Sequence, residues 1–373
     1  VSSIASGITV DFKQQDNALG IILTAIQDKQ IKAVIATDDL VVTLASRIAK
    51  SLGLPHNEPE STQLTYRKDL ARIRLQQHKC NVPEFSVCHF DNTQEKSNNT
   101  AYPVVLKPLM LSGSRGVIRV DNAEQFITAA EKIKHILSKE PCNQYEGRHF
   151  LVEQFMPGEE IAIDGFMQNG SFITLSLFDK PEPLNGPYFE ESYYITPSRH
   201  AEQVQQAIIL EVEKCCNAYG LTHGPIHAEA RITDKGIFLI EMASRTIGGQ
   251  CAQLIEYVLG KKLEEVIIRL MCFEHLELDF KQQHAGVLMI PIAKRGMLKR
   301  VEGLLKARQV EHISNIEIHI QPGYELIPLP EGASYLGFIF ATADSFEDTW
   351  KALRLSHQHL KFITSESWSL EPV

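Results

Sequence analysis

Residues 225–232 and 237–243 are two alternating, apolar-rich runs joined by Thr233-Asp234-Lys235-Gly236. Such a pattern folds as a β-hairpin. With Asp234-Lys235-Gly236 as the loop, Glu229 faces Glu241, His227 faces Ala243 and Arg231 faces Leu239. Side chains alternate along a strand, so all six share one face of the sheet. Directly opposed side chains start about 4.5–5.5 Å apart. Two carboxylates that close repel unless a cation lies between them. A hard divalent cation does this, and Mg²⁺ is commonly held by one or two carboxylates together with substrate phosphates. A solvated hairpin in which Arg231 neutralises the pair accounts for the same residues.

The flanks add chemistry. Four residues beyond Glu241 stands Arg245, followed by Gly248-Gly249 and an apolar helical run to about 272. A glycine pair opening a helix presents free N–H groups to an anion. With Arg245, it can stabilise charge on a transferring phosphoryl group or a developing oxyanion. Upstream, Lys107 closes the apolar strand 102–107, and Ser112-Gly113-Ser114-Arg115-Gly116 follows. Gly113 and Gly116 permit backbone amides to approach a phosphate. Taken alone, Lys107 also fits a snorkelling edge residue. There is no Gly-Lys-Ser/Thr after a spaced glycine and no GxGxxG, so a nucleotide site here is of neither the P-loop nor the dinucleotide type.

The rest of the chain reads as α/β. Residues 32–37 (KAVIAT) predict a strand ending at Asp38 and Asp39, with a helix over 41–52 stopped by Gly53. This is one unit of a parallel sheet. A basic helix is expected over 65–77. Strands are expected at 117–120 and 150–155, a helix at 123–137, a hairpin at 160–167 and 171–178, a loop at 179–199 and a helix at 202–218. Strands at 287–292, 316–320 and 336–341 and a helix at 346–360 predict a small α+β C-terminal unit. At ~150 residues per domain, 373 residues suggest two or three domains. We expect 1–66, 67–284 with a lid at about 85–155, and 285–373. The net charge of −9 argues against an extended nucleic-acid surface. Seven scattered cysteines without a CxxC pair suit reduced thiols and a cytoplasmic protein. No run approaches ~20 apolar residues, so no membrane span is expected. The chain opens at Val1 rather than Met, which leaves room for an upstream segment and a shortened N-terminal sheet.

In order, Lys68 in a helix, VVLKP, SGSRGV, LVEQFMPGEE, GPIHAEAR and LIEMASRTIGG resemble the ATP-grasp superfamily over essentially the whole chain. Within it the chain is most similar to carboxylate–amine ligases of the L-amino acid ligase type. The resemblance implies an ATP-grasp fold: an N-terminal parallel α/β domain, a central ATP-grasp domain with its lid, and the small C-terminal domain. It implies Lys68 and Lys107 on ATP phosphates, Ser112, Gly113, Ser114 and Gly116 in the loop covering them, and Glu153, Gln154, Phe155 and Met156 as the hinge reading adenine. Glu160 falls on the ribose, Leu239 beside the nucleotide, Glu229 and Glu241 on Mg²⁺ or Mn²⁺, and Arg245 with Gly248 and Gly249 at the acyl-phosphate stage. Glu191 and Tyr194, in a segment that resembles the amino-acid-recognising loop, are expected to meet the substrate with Arg231 and Arg245. A homodimer is the family default.

The chain also departs from the family. Many members carry Asn two residues after the second metal carboxylate, where Ala243 stands, which puts the number of metals in question. Tyr194 replaces a frequent His. The glycine-only loop and Gln-Val-Glu-His run of biotin-dependent carboxylases are absent. The expected partners are a small-molecule carboxylate and an amine. The resemblance also admits a purine-pathway-like ligase with a non-amino-acid substrate, and a nucleotide-binding protein without catalysis.

Overall fold

The computed structural model describes residues 6–365 apart from 280 and 282; the outer ends of the expected first and last domains, 1–5 and 366–373, lie outside it. The first segment is helical: α1 (Gln15–Ile26), α2 (Val42–Ser51), α3 (Pro59–Leu64) and α4 (Lys68–Gln77). Leu44 and Ile48, four apart, bury one face of α2 against Ala18 of α1. Gly53, at φ +66°, ends the turn after α2.

The strand expected over 32–37 does not form, and with it the N-terminal parallel sheet. Every ladder among the described residues is antiparallel. The apolar run is real, but a strand needs a neighbour to take its backbone hydrogen bonds. Val34 packs instead toward α1 and α2, and Ile35 toward the core of the large sheet.

Residues 85–154 form a sheet of their own. It contains β1 (Phe85–His89), β2 (Val104–Pro108), β3 (Ile118–Val120) and β4 (His149–Gln154) in the order β1-β4-β2-β3, with α5 (Thr93–Asn98) and α6 (Ala123–Leu137) against it. Asn122 caps α6 by accepting from the Gln125 N–H. Phe126, Ala130, Ile133 and Leu137 recur at helical spacing and pack on Leu106 and Phe150.

The rest builds on an eight-stranded sheet. In chain order the elements are β5 (Glu159–Gln168), β6 (Ser171–Asp179), β7 (Tyr193–Thr196), α7 (Glu202–Tyr219), β8 (His223–Thr233), β9 (Gly236–Ala243), α8 (Ala252–Leu259), α9 (Leu263–Met271) and β10 (His284–Ile290). They continue as β11 (Gly296–Glu302), α10 (Leu304–Arg308), β12 (Ile313–Ile318), β13 (Glu325–Leu326), β14 (Gly337–Ala343), α11 (Phe346–His359) and β15 (Lys361–Ser365). The large sheet runs β12-β14-β10-β7-β6-β5-β8-β9, and β13-β11-β15 form a small one. The large sheet therefore crosses the boundary expected at 284/285. Part of the expected loop 179–199 becomes β7, because Tyr194 and Ile195 pair with Val287 and Gly286 of β10. The run after Gly249 breaks at Gly260, which takes φ +64°, into α8 and α9. Helix α7 covers one face of the sheet, α8 and α9 the other.

The hairpin β8–β9 forms with a different turn. Thr233 pairs with Gly236, leaving a two-residue loop, and a bulge between Glu229 and Ala230 restores the count. Glu229 still faces Glu241, and His227 faces Ala243. Beyond the bulge, Arg231 faces Phe238, and Leu239 faces Ala230. The expected Arg231–Leu239 pairing is corrected accordingly.

Candidate active site

Two cavities meet at the acidic pair. The first is lined by Val105, Lys107, Phe155, Met156, Phe189 and Ile240, among others; the second, of about 160 Å³, by Ser112, Gly113, Tyr194, Arg245, Gly248, Gly249 and Tyr335. Ser114, Glu191, Glu229 and Glu241 line both. The hairpin register places Glu229 and Glu241 there, one from each strand.

At the first cavity, the sheet of 85–154 supplies one wall. Lys107 is buried at the end of β2, its Nζ 2.6 Å from Glu153 on β4. Arg72 of α4 holds the other Glu153 oxygen at 2.6 Å. Burial opposes ionisation of Glu153, but these two cations outweigh it and hold the carboxyl down at about 2. The Glu153 side chain thus ties the four-stranded sheet of 85–154 to α4. Along the segment that follows, the Gln154 and Phe155 N–H groups donate to the Glu84 and Pro103 carbonyls. The Met156 carbonyl accepts from Arg231, while no backbone acceptor takes the Met156 N–H among the described residues. Phe155 and Phe189 stack at 6.5 Å.

Three expected residues lie elsewhere, and a fourth, Lys68, lines neither cavity and reaches their junction only through Glu241. Leu239 is buried on the α7 face with Ala228 and Ala230, because the bulge turns it away. Ile240 takes its place in the first cavity. Arg231 lies in the first cavity, not beside Arg245. Its guanidinium is committed to Glu160 at 2.9 Å and to the Met156, Gly158 and Leu184 carbonyls. Gly116 lines neither cavity; its N–H donates to the Pro330 carbonyl, and a side chain there would strike Pro108.

Lys180 is the residue that sequence reasoning missed most plainly. Its Nζ lies 2.7 Å from Glu229, 2.9 Å from Glu160 and 3.1 Å from Glu191. Burial disfavours its charge, but the three carboxylates raise its pKa well above normal. Burial opposes ionisation of Glu229 too, yet Lys180 and His227 hold it well below the usual carboxylate range. Burial and the neighbouring Glu229 push Glu191 up to about 7. The Tyr194 hydroxyl donates to Glu229 at 3.2 Å. Glu241 is held separately, 3.1 Å from the Nζ of Lys68, which also donates to the Leu111 carbonyl. Lys180 follows β6 directly, in a stretch read as loop, so only the β6–β5–β8 order brings it here.

In the second cavity His227 sits two residues before Glu229, on the face that alternation assigns it. Its Nδ1 lies 3.0 Å from Asp164 of β5, whose other oxygen accepts from the Ile247 N–H. Burial alone would lower its pKa, but Asp164 and Glu229 raise it to about 9. Arg245 reaches the carboxylate of Asp39 at 2.7 Å. The glycine pair does not open a helix: α8 begins at Ala252. Gly249 takes φ +61°, and a Cβ there would strike Met289.

The arrangement gathers fixed cations and a close acidic pair where one cavity with an apolar end opens into a polar one. A family model described as an ATP-grasp domain matches residues 100–253, and one described as L-amino acid ligase C-terminal domain 2 matches 288–365. Dapdiamide A synthase of Enterobacter agglomerans is 26% identical over 83% of this chain and 74% of its own length. Alanine–anticapsin ligase of Bacillus amyloliquefaciens is 22% identical over 65% of this chain and 54% of its own. The crystal structure of L-amino acid ligase from Bacillus licheniformis matches with a TM-score of 0.82 and 25% identity, covering 95% of this chain and 87% of that one. The chain spans about half to three quarters of the length of four curated relatives it matches and about a third of a fifth. By its matched domains and its fold, the chain contains an ATP-grasp domain followed by the C-terminal domain of the L-amino acid ligases.

Proposed function

We propose that this protein is an ATP-dependent carboxylate–amine ligase that forms an amide or peptide bond through an acyl phosphate, with amino acids as substrates. The observation that carries the reading is the Glu229–Glu241 pair at the junction of the two cavities, with Arg245 and Gly248-Gly249 beyond it. Adenine would lie in the first cavity between Val105, Ile240 and Met156, taking the Met156 N–H. Glu160 would meet the ribose. Lys107 and Lys68 would face the phosphates, with Ser112, Gly113 and Ser114 over them. Glu229 and Glu241 offer two carboxylates on one face while Ala243 offers no donor, a set that fits Mg²⁺ or Mn²⁺ completed by phosphate oxygens. When bound, that ion would screen the phosphate charge.

The substrate carboxylate would attack the γ-phosphorus from the second cavity, near Arg245. Transfer of this kind needs positioning and charge neutralisation rather than covalent help. The acyl phosphate would then meet an amine, with Arg245 and the amides around Gly248 stabilising the oxyanion. The lid would exclude water from the acyl phosphate. Glu191, Tyr194 and Tyr335 would contact the acid substrate. No helix among the described residues is long and apolar enough to cross a membrane. All seven cysteines are free, which supports a reducing, ATP-supplied compartment such as the cytoplasm. Two copies per assembly remain part of the proposal, to be read by sedimentation.

The test is ADP release with ATP and Mg²⁺ against amino acids, singly and in pairs, with mass spectrometry of the products. Pair-dependent ADP with a condensed mass is the expected result. ATP binding without amine-dependent ADP from any combination would overturn it in favour of a nucleotide-binding protein without catalysis.

A further inference from the structure

A third opening, of about 580 Å³, lies at the seam between the N-terminal segment, the start of α4 and residues 110 and 141–146 beside the four-stranded sheet. Asp39, Tyr66, Arg67, Met110, Phe12 and Leu40 are among its walls. Asp39 lines this cleft and Arg245 lines the second cavity, so their 2.7 Å ion pair marks where the two spaces come together. One Asp39 oxygen, Oδ2, holds Arg245. The other, Oδ1, is buried and has no hydrogen-bond partner among the described residues. Most buried polar side-chain atoms are hydrogen-bonded, so an orphan oxygen on a residue that lines a cleft calls for a donor supplied when a ligand enters and the side chain turns toward it.

We propose that this cleft receives the amine substrate and that Asp39 is the carboxylate that holds its ammonium group and takes its proton; the proposal rests on the ligase reading above. An amine reaches the enzyme as an ammonium ion and cannot attack until it loses a proton. Asp39 stands where that must happen, because its other oxygen grips the arginine facing the acyl phosphate. One ammonium proton passes to Asp39. The freed nitrogen lone pair forms the C–N bond, and the acyl C–O bond breaks with its electron pair going to phosphate. The second N–H proton leaves on the phosphate, and Asp39 releases its own to solvent. The cleft also describes the amine. Arg67 spends three of its N–H donors on Asp69 and Glu146 and keeps two for the carboxylate of an amino acid. Phe12 and Leu40, both half-exposed, with Met110 beside them, suit an apolar side chain.

Hydroxylamine separates the two half-reactions, because it is largely unprotonated at neutral pH and needs no base. The twenty common L-amino acids serve as acids, first with hydroxylamine as the amine and then with one another. Asp39→Asn keeps an acceptor for Arg245 but cannot take a proton. It is expected to lose dipeptide formation by about 10²–10⁴-fold, and to lose hydroxamate formation by at least about tenfold less than that. Asp39→Glu, with its carboxylate one methylene further out, should recover part of the condensation, and it carries the test if the Asn variant does not fold. Wild-type dipeptide rates in Asp39→Asn overturn the proposal. Equal loss of hydroxamate and dipeptide also overturns it, because Asp39 then serves only to place Arg245. A wild-type enzyme that yields no hydroxamate with any acid removes the ligase reading itself, and the proposal with it.

Discussion

Three carboxylates converge on Lys180. Its ammonium has three donors, and Glu160, Glu191 and Glu229 take all of them. Those carboxylates lie within 4.8 Å of one another. Among the described residues, Lys180→Met would leave them with only Arg231, on Glu160, and His227, near Glu229, as counter-charges. Breaking a buried ion pair by removing one partner typically costs about 3–5 kcal/mol. We expect a loss of that order in urea unfolding, together with weaker ATP binding. A change below about 1 kcal/mol would show that the triad is solvated rather than buried. Glu153 gives a pH signature. Its folded pKa of about 2 lies below the ordinary 4.5 of a glutamate, so its contribution is fully present above about pH 4.5 and is lost as pH falls toward 2. The shift corresponds to a few kcal/mol. Glu153→Gln should therefore lower the melting temperature at neutral pH and flatten its decline between those two values. An unchanged acid limb would place the acid sensitivity in other groups. At this scale the acidic pair was legible because alternation needs only local counting. Lys180 and Asp39 were not, since no periodicity links residue 180 to residue 229 or residue 39 to residue 245.

Elements were legible where their pattern was long. Helix α6 and the hairpins β5–β6 and β8–β9 follow from spacing and turn residues. The failures share a cause: each element's fate was decided by a partner remote in sequence. The apolar run 32–37 lacks a neighbouring strand, and Tyr193–Thr196 has two, so the expected strand is irregular and part of the expected loop is a strand. The hairpin shows compensating errors. A turn one residue shorter than expected would have shifted every pair, but the bulge at Ile240 restores Glu229 to Glu241 and leaves only Leu239 and Arg231 misplaced. The turn joining β4 to β5 has its own control point. Gly158 takes φ +121°, and a Cβ there would lie 2.1 Å from the Ile232 carbonyl oxygen. Backbone cannot give way as a side-chain tip can. Gly158→Ala is expected to cost at least the ~1–3 kcal/mol of a sparsely populated backbone state, with the clash in addition. A denaturation midpoint equal to that of the wild type would mean that the turn relaxes freely.

At the scale of the whole molecule, the two parts that the sequence marked off as lid and C-terminal unit differ in how they are built. The buried residues of the lid core, from Cys88 to Val152, all come from its own four-stranded sheet and flanking helices. The C-terminal strands β10, β14 and β12 instead complete the large sheet, and β10 pairs with β7 along one edge and β14 along the other. Tyr193 and Ile195 of β7 share a core cluster with Leu288, Ile290 and Ile339, while Val287 and Met289 pack on the other face with Phe178 and Leu254. Cutting the chain at the expected boundary would therefore bare an edge strand and open both faces of the sheet at once. An exposed edge with apolar faces is a template for aggregation. We propose that 67–284 and 285–373 form one folding unit despite the sequence division between them, and that the lid is the separable part. Residues 80–157 alone should unfold cooperatively in urea, with the low stability of a domain near 70–80 residues. Residues 285–373 alone should show no cooperative transition and should associate as concentration rises. A cooperative, monomeric 285–373 fragment would restore the boundary at 284/285. It would also mean that the β7–β10 ladder is a docking interface between finished domains, not part of a shared core.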